Sequence, residues 1–144
     1  MRIEKDFVEL LKLFNKNKVK YLIVGAFAVG FYGYPRYSKD IDVLVESSVE
    51  NAKRIIAALR EFGGYKNLEE TDFNQGNKII QLGYEPVRVD ILTSLEGEKF
   101  KTLWKNKEAG YYGKQRVFFI GLRDLKRNKR RSGRLQDLAD LEKL

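Results

Sequence analysis

A short run beginning at Asp40, DIDVLV, most strongly constrains how this chain can fold. Ile41, Val43 and Val45 alternate with other positions, as in a β-strand that buries one face. Asp40 and Asp42 would share the opposite face, about 6.6 Å apart at ~3.3 Å per residue. Aspartate is depleted in strands and costly to bury. The run therefore predicts a strand that carries two carboxylates for a structural or chemical reason.

The rest of the chain alternates helical and strand patterns. Helical spacing occupies 4–15, about 48–62 and 97–107, and the chain is predicted helical after Gly121 with a division near Ser132 and Gly133. Strand patterns occupy 20–24, 40–45, 78–82, 87–93 and 116–120. Ser47 and Glu50 have the spacing of a capping box ahead of the helix that ends near Phe62. The order predicts one α/β (α+β) domain over 1–144, with a mixed sheet of about five strands flanked by helices and a helical C-terminus.

Composition excludes several kinds of chemistry. The chain has no cysteine and no histidine, so disulfides, thiol nucleophiles, thiolate metal sites and an imidazole base are excluded. The formal net charge is +8, which favours an anionic partner such as a nucleotide or nucleic acid. No apolar run approaches the roughly 20 residues of a membrane span, and the charged N-terminus does not read as a signal peptide. We therefore expect a cytoplasmic protein with no membrane partner.

A third aspartate could join the first two. In VRVDIL, Val89 and Ile91 would face one side of a strand while Asp90 faces the other. If this strand neighbours the first, directly opposed side chains have Cβ atoms about 5 Å apart. Asp90 would then lie beside Asp40 and Asp42. Three like charges raise one another's pKa values, and an all-oxygen ligand set of this kind suits Mg²⁺ or Mn²⁺.

A glycine turn precedes the aspartates. YLIVGAFAVG reads as a strand, then Gly25, then the start of a helix. Glycine allows close approach of the backbone to a ligand, and the N–H groups at a helix start can bind phosphate. Gly25, Gly30 and Gly33 match neither the dinucleotide nor the P-loop spacing. The segment therefore predicts a phosphate contact without matching either of those motifs.

Taken together, these residues resemble the nucleotidyltransferase superfamily, which has the DNA polymerase β-like fold. Its pattern is an apolar residue, glycine, then Gly or Ser, followed after about 7 to 13 residues by Asp-x-Asp/Glu and a later strand carboxylate. The matching positions are Val24-Gly25-Ala26, Asp40-Ile41-Asp42 and Val89-Asp90-Ile91. Ala26 departs from the usual Gly or Ser, which removes a hydroxyl contact to phosphate.

The resemblance is closer to the abortive-infection toxin type of nucleotidyltransferases and their uncharacterised relatives. That branch reads Gly-x-x-Ala, then Arg-x-Thr-x-Asp-Ile-Asp, and ends with Lys, Gly-Arg and Asp-x-x-Asp. Here the corresponding residues are Gly25, Ala28, Arg36, Ser38 in place of Thr, Asp40, Asp42, Lys129, Gly133, Arg134, Asp137 and Asp140.

The resemblance implies a metal-dependent transfer of a nucleoside monophosphate from an NTP, ATP among them, to a hydroxyl acceptor. Asp40 and Asp42 would hold Mg²⁺ or Mn²⁺, and Asp90 would complete the metal site and accept the proton of the acceptor. Gly25, Ala26, Arg36, Ser38 and Lys129 would contact the nucleotide. The acceptor would be RNA, tRNA or protein, and a partner protein or a homo-oligomer would complete acceptor binding.

Other interpretations stay open at this point. The basic run LRDLKRNKRRSGR, residues 122–134, favours a nucleic-acid-binding module whose carboxylates are residual. A toxin–antitoxin-type interaction module with a catalytically silent nucleotidyltransferase fold is another alternative. The carboxylate pair would also suit a glycosidase, although the glycine turn and the basic residues argue against it.

Overall fold

The computed structural model describes residues 3–33, 40–63, 67–84 and 87–144 of the chain. Within these ranges the α-helices are α1 (Lys5–Lys16), α2 (Gly25–Phe31), α3 (Val49–Phe62), α4 (Phe100–Lys105), α5 (Leu122–Ser132) and α6 (Leu135–Lys143). The strands are β1 (Tyr21–Val24), β2 (Asp40–Val45), β3 (Ile79–Tyr84), β4 (Val87–Leu92), β5 (Glu108–Tyr112) and β6 (Gln115–Phe119). A short 3-10 helix covers Glu70–Asp72. The predicted α/β class with a helical C-terminus is confirmed.

The six strands form one mixed sheet in the order β3-β4-β2-β1-β6-β5. β2 runs parallel to β4 and antiparallel to β1, and β1 runs parallel to β6. β3 and β4 pair antiparallel, as do β5 and β6. The strand that carries the two aspartates therefore lies inside the sheet, next to the strand that carries the third.

Apolar residues hold β1 and β2 in the core. All four residues of β1 are buried, and Ile41 and Val43 of β2 are 1% and 0% exposed. α1 and α3 pack against each other and contribute Phe7, Leu10 and Ile55 to the same hydrophobic core. Because the alternate positions of β2 are anchored in this core, the directions of Asp40 and Asp42 are fixed as well.

The structure differs from the sequence-based expectation in two details. The sheet has six strands because Glu108–Tyr112, sequence EAGYY, adds an edge strand that the sequence did not predict. Its small residues and exposed positions give no clear apolar alternation. The N-cap of α3 is Ser48, whose side chain accepts a hydrogen bond from the Asn51 backbone N–H, whereas Ser47 was predicted.

The predicted division of the C-terminal helices is confirmed. α5 ends at Ser132, and Gly133 has φ of 65°, the left-handed conformation that commonly terminates helices. The turn brings α6 back against α5. In the part of the chain that the structure describes, no helix combines the length and apolar character needed to cross a membrane.

Candidate active site

The parallel pairing of β2 and β4 brings two of the predicted site residues together. In this register Asp42 lies opposite Asp90, and Asp40 lies opposite Arg88. Asp40, Asp42 and Asp90, which we call the carboxylate cluster, are all partly shielded from water. The two strands are therefore neighbours, as the third aspartate required, and this follows from the sheet order rather than from either strand alone.

Arg88 is a member of this site that sequence reasoning missed. Its Nη2 donates a 2.6 Å hydrogen bond to Oδ2 of Asp40, and its Nε lies 3.6 Å from Oδ1 of Asp90. Arg88 precedes Asp90 by two positions on β4, so strand alternation places both side chains on one face. The signal that could have found it was the same alternation that identified Asp90.

Gly25 gives the site its close packing. Its φ is +67°, a backbone conformation that residues with a side chain rarely adopt, and a Cβ added at this position would clash with Oδ2 of Asp42. Val24, the residue before it, is the register partner of Asp42 in the antiparallel β1–β2 pair. Glycine at this position therefore lets the turn at the start of α2 lie directly against the Asp42 carboxylate.

The electrostatics of the carboxylate cluster oppose full ionisation. Burial, and then the charges of Asp90 and Asp40, raise the pKa of Asp42 to about 6, against opposition from Arg134 and Lys129. Burial also raises the pKa of Asp90, although Arg88 opposes the shift. Such shifts arise where like charges share a site of limited solvation, and a bound cation would relieve them.

The donor set suits a divalent cation, but the present side-chain arrangement is not a formed metal site. All three side chains offer oxygen ligands, which suit Mg²⁺ or Mn²⁺, and the buried Oδ1 of Asp90 has no hydrogen-bond partner. Among the described residues, no three carboxylates are already grouped as ligands of one ion. Arg88 provides the physical reason, because its guanidinium group lies against Asp40 and Asp90. The residues therefore fit the ion in ligand type, and in this arrangement Arg88 is the counter-charge of the cluster.

A pocket of about 240 Å³ opens beside the cluster. Its lining includes Gly25 and Ala26 from the turn, Asp40 and Asp42 from β2, and Lys129 from the C-terminal region. Five of the predicted site residues therefore share one cavity. Asp90 is not among the described lining residues, and it is the register partner of Asp42 on β4.

Residues of α6 and its start complete the pocket. Arg134, Gln136 and Asp137 line it from the C-terminal side. The sequence pattern included Arg134 and Asp137 without assigning either residue to the site. Only the turn at Gly133, which folds α6 back, shows that they face the aspartates.

Lys129 is buried and held by carboxylates. Its side chain is 4% exposed, and its Nζ lies 3.0 Å from Oδ1 of Asp137 and 3.1 Å from Oδ2 of Asp140. We call these three residues the Lys129 cluster. Lys129 lines the pocket, and its ammonium group is a structural ion-pair partner; its contact with a nucleotide stays a prediction.

Asp137 shows how well this second cluster is balanced. Burial alone would raise its pKa, but hydrogen bonds from Ser132, Lys129 and Arg134 outweigh burial and lower the pKa to about 2. Two further predicted contacts, Arg36 and Ser38, lie outside the described residues.

Comparison with known structures decides the fold. A crystal structure of a candidate nucleotidyltransferase from Thermotoga maritima matches with a TM-score of 0.66 and 17% identity, over 99% of this chain and 94% of that chain. The chain has a nucleotidyltransferase-like fold. A nucleotidyltransferase-like antigenic protein from Paracoccidioides brasiliensis matches with a TM-score of 0.55 and 13% identity, over 96% of this chain and 75% of that one. No protein-family profile and no curated protein sequence matches the chain.

Proposed function

We propose that this protein is a metal-dependent nucleotidyltransferase that transfers a nucleoside monophosphate from an NTP to a hydroxyl acceptor and releases pyrophosphate. One observation carries the proposal. Asp42 lies opposite Asp90 across two parallel strands and against the Gly25 turn, at the wall of a pocket that Lys129 and Arg134 also line. The nucleotidyltransferase-like fold supports the general kind of activity.

We assign the proposed roles of the residues from the resemblance to nucleotidyltransferases and from the chemistry of the side chains. Asp40, Asp42 and Asp90 would hold Mg²⁺ or Mn²⁺, which stabilises charge on the attacking and leaving oxygens when bound. Asp90 would also accept the proton of the attacking hydroxyl. The acceptor oxygen forms a bond to the α-phosphorus while the bond to the pyrophosphate oxygen breaks, in line. Charge is balanced because the proton goes to a carboxylate and the negative charge leaves with pyrophosphate.

The pocket wall would bind the phosphates. Backbone N–H groups at Gly25 and Ala26 are the proposed triphosphate contacts, and Arg36 and Ser38 remain predicted contacts. Arg134 lines the pocket with its side chain 79% exposed, so it can reach a ligand at limited cost in structure. Lys129 would act mainly through its positive charge, because its ammonium group is already held by Asp137 and Asp140.

The test is transfer of label from each α-labelled NTP to tRNA, total RNA and the protein itself, with Mg²⁺, with Mn²⁺ and with chelator. The wild-type protein should transfer label to one of these acceptors when metal is present, and to none of them in chelator. Asp42→Asn should reduce the rate by about 100-fold or more, the scale of losing a transition-state stabiliser.

Two glycine variants localise the effect. Gly25→Ala should reduce transfer, because its Cβ displaces the Asp42 carboxylate. Gly63→Ala is the matched control, since Gly63 has an extended φ of −177° and open space around it. Metal-independent labelling, or labelling that survives Asp42→Asn, would contradict the proposal.

A further inference from the structure

A basic groove of about 700 Å³ lies away from the carboxylate cluster. Four cationic side chains line it, Lys18, Lys20, Arg54 and Arg116, together with the aromatic rings of Trp104 and Phe118. The described residues that line the groove include no carboxylate. The ionisable residues described in its lining are therefore all positively charged.

Most of this charge has no counter-charge among the residues that the structure describes. Lys20 lies 3.8 Å from Glu46, a weak exposed pair. For Lys18, Arg54 and Arg116 the described part of the chain provides no carboxylate within ion-pair distance. Cations gathered without counter-charges repel one another, so an anionic ligand would be stabilising here.

The basic run of α5, which the sequence indicated for nucleic acid, is different. Arg127 is bound by Glu98 and Asp124, each at 2.7 Å, and Arg131 lies 3.7 Å from Glu98. Lys129 is buried between aspartates. Much of the charge of this run is therefore used to hold the fold, and the groove is the better candidate for an anionic partner.

The fold places the groove at a defined end of the sheet. β1 and β6 are parallel, with Ile23 opposite Phe119, so Lys20 before β1 and Arg116 near the start of β6 lie at the same end. The Asn15 side chain donates a 2.7 Å hydrogen bond to the Arg116 carbonyl and ties this end to α1. Asp42 is paired with Val24 at the other end of β1, about 13 Å away at ~3.3 Å per residue.

We propose that this groove binds the phosphodiester backbone of a single nucleic acid strand. Its four cations come from three parts of the chain, the α1–β1 connection, α3 and β6, around a groove of about 700 Å³. Several separate cations suit a chain of phosphates rather than one phosphate. Lysine and arginine neutralise phosphates, and aromatic surface beside arginine suits bases and riboses. The Lys107 ammonium lies 4.1 Å from the centre of the Trp104 ring and adds a cation near the aromatic floor. This binding site is independent of the proposed transferase function.

Trp104 allows the site to be located directly. It is the only tryptophan in the chain and it lines the groove. A nucleic acid strand bound in the groove should change its fluorescence, with the same midpoint as binding measured from a labelled strand. A strand bound elsewhere on the basic surface should leave that fluorescence unchanged.

The experiment measures anisotropy of a fluorescein-labelled single-stranded RNA of roughly 20 nucleotides, between about 50 and about 200 mM salt. The double variant Arg54→Glu/Arg116→Glu tests the groove. Its control is Lys53→Glu/Lys114→Glu, which changes two exposed lysines that do not line the groove. Both double variants carry the same net charge, so general attraction to the protein is matched.

We expect the groove variant to lose about 10-fold or more in affinity and to show a shallower salt dependence, while the control loses about 3-fold or less. Thermal melts of both variants establish that they are folded. Equal losses in the two variants would overturn the proposal, as would RNA binding that leaves Trp104 fluorescence unchanged. Competition by poly-glutamate as effective as that by unlabelled RNA would identify an acidic-peptide surface and would overturn it too.

Discussion

The carboxylate cluster and the Lys129 cluster use aspartate in opposite ways. In the Lys129 cluster, hydrogen bonds outweigh burial and lower the pKa of Asp137 to about 2. In the carboxylate cluster, burial and neighbouring carboxylates raise the pKa of Asp42 to about 6. Because burial raises the pKa of both aspartates, the difference comes from their neighbours, hydrogen-bond donors at Asp137 and like charges at Asp42. One cluster stabilises the fold, and the other carries repulsion that a cation could relieve.

The two clusters also act on each other. The charges of Arg134 and Lys129 oppose the rise in the pKa of Asp42, and residues of both clusters line one pocket. The Lys129 cluster, whose hydrogen bonds and ion pairs lower the pKa of Asp137, thus forms one wall of the cavity. The other wall is formed by the carboxylate cluster, whose burial and like charges raise the pKa of Asp42. Perturbed pKa values such as that of Asp42 cluster at functional sites.

The largest predicted effect on stability is in the Lys129 cluster. Lys129→Ala leaves Asp137 and Asp140 buried without their lysine, and breaking a buried pair in this way costs about 3 to 5 kcal/mol. Denaturant unfolding should show a loss of this size. Lys126→Ala, in the same helix and without an ion pair among the described residues, should change stability by less than about 0.5 kcal/mol.

If Lys129→Ala lowers the free energy of unfolding only slightly, the contrast between the two clusters fails, because the lysine would not be what stabilises the Lys129 cluster. Lys129 would then be better explained as a group held in place for a ligand. Nucleotide binding by the folded fraction of this variant separates the two roles.

A smaller effect is expected at Arg88. Arg88→Met removes the charge but retains much of the side-chain volume, and it leaves Asp40 and Asp90 without this counter-charge. In chelator the variant should be less stable by about 2 kcal/mol, the scale of a hydrogen bond to a charged group. Millimolar Mg²⁺ or Mn²⁺ should raise the melting temperature of Arg88→Met more than that of wild type, by linkage.

The double variant Arg88→Met/Asp42→Asn sharpens this result. With one carboxylate already neutral, the loss of Arg88 should destabilise less than it does in wild type, which a double-mutant cycle measures. Equal losses in the two backgrounds would mean that Arg88 does not offset the repulsion within the carboxylate cluster.

The sequence predicted the directions of the aspartates well, because strand alternation is a local property. The apolar face of Ile41 and Val43 fixed the opposite face of Asp40 and Asp42, and the same rule identified Asp90. The register between β2 and β4 could not be predicted, because it depends on the order of strands across the sheet. Knowledge of that register would have shown Asp40 facing Arg88.

The burial of Lys129 also could not be predicted from the local sequence pattern. In the sequence it lies within a basic run that suggests exposure, and burial requires α6 to return with Asp137 and Asp140. The edge strand β5 escaped prediction because EAGYY lacks an apolar alternation. In both cases tertiary packing, rather than residue preference, decides the outcome.

The smallest predicted effect is the most specific to the carboxylate cluster. Asp42→Asn keeps the shape of the side chain and removes one like charge. The folded protein raises the pKa of Asp42 from 3.8 to about 6, so the ionised carboxylate destabilises the fold. This penalty is absent below pH ~4, grows as the pH rises, and is complete above pH ~6.

In chelator at pH 7, Asp42→Asn should therefore be as stable as wild type or more stable, by on the order of 1 kcal/mol. Near pH ~3 the two proteins should be alike, because Asp42 is then largely protonated in both folded and unfolded wild type. Paired denaturant melts at the two pH values measure the difference, and metal with NTP should no longer raise the melting temperature of the variant. A variant midpoint clearly below wild type at pH 7 would show that Asp42 holds the fold together, and the contrast between the two clusters would then disappear.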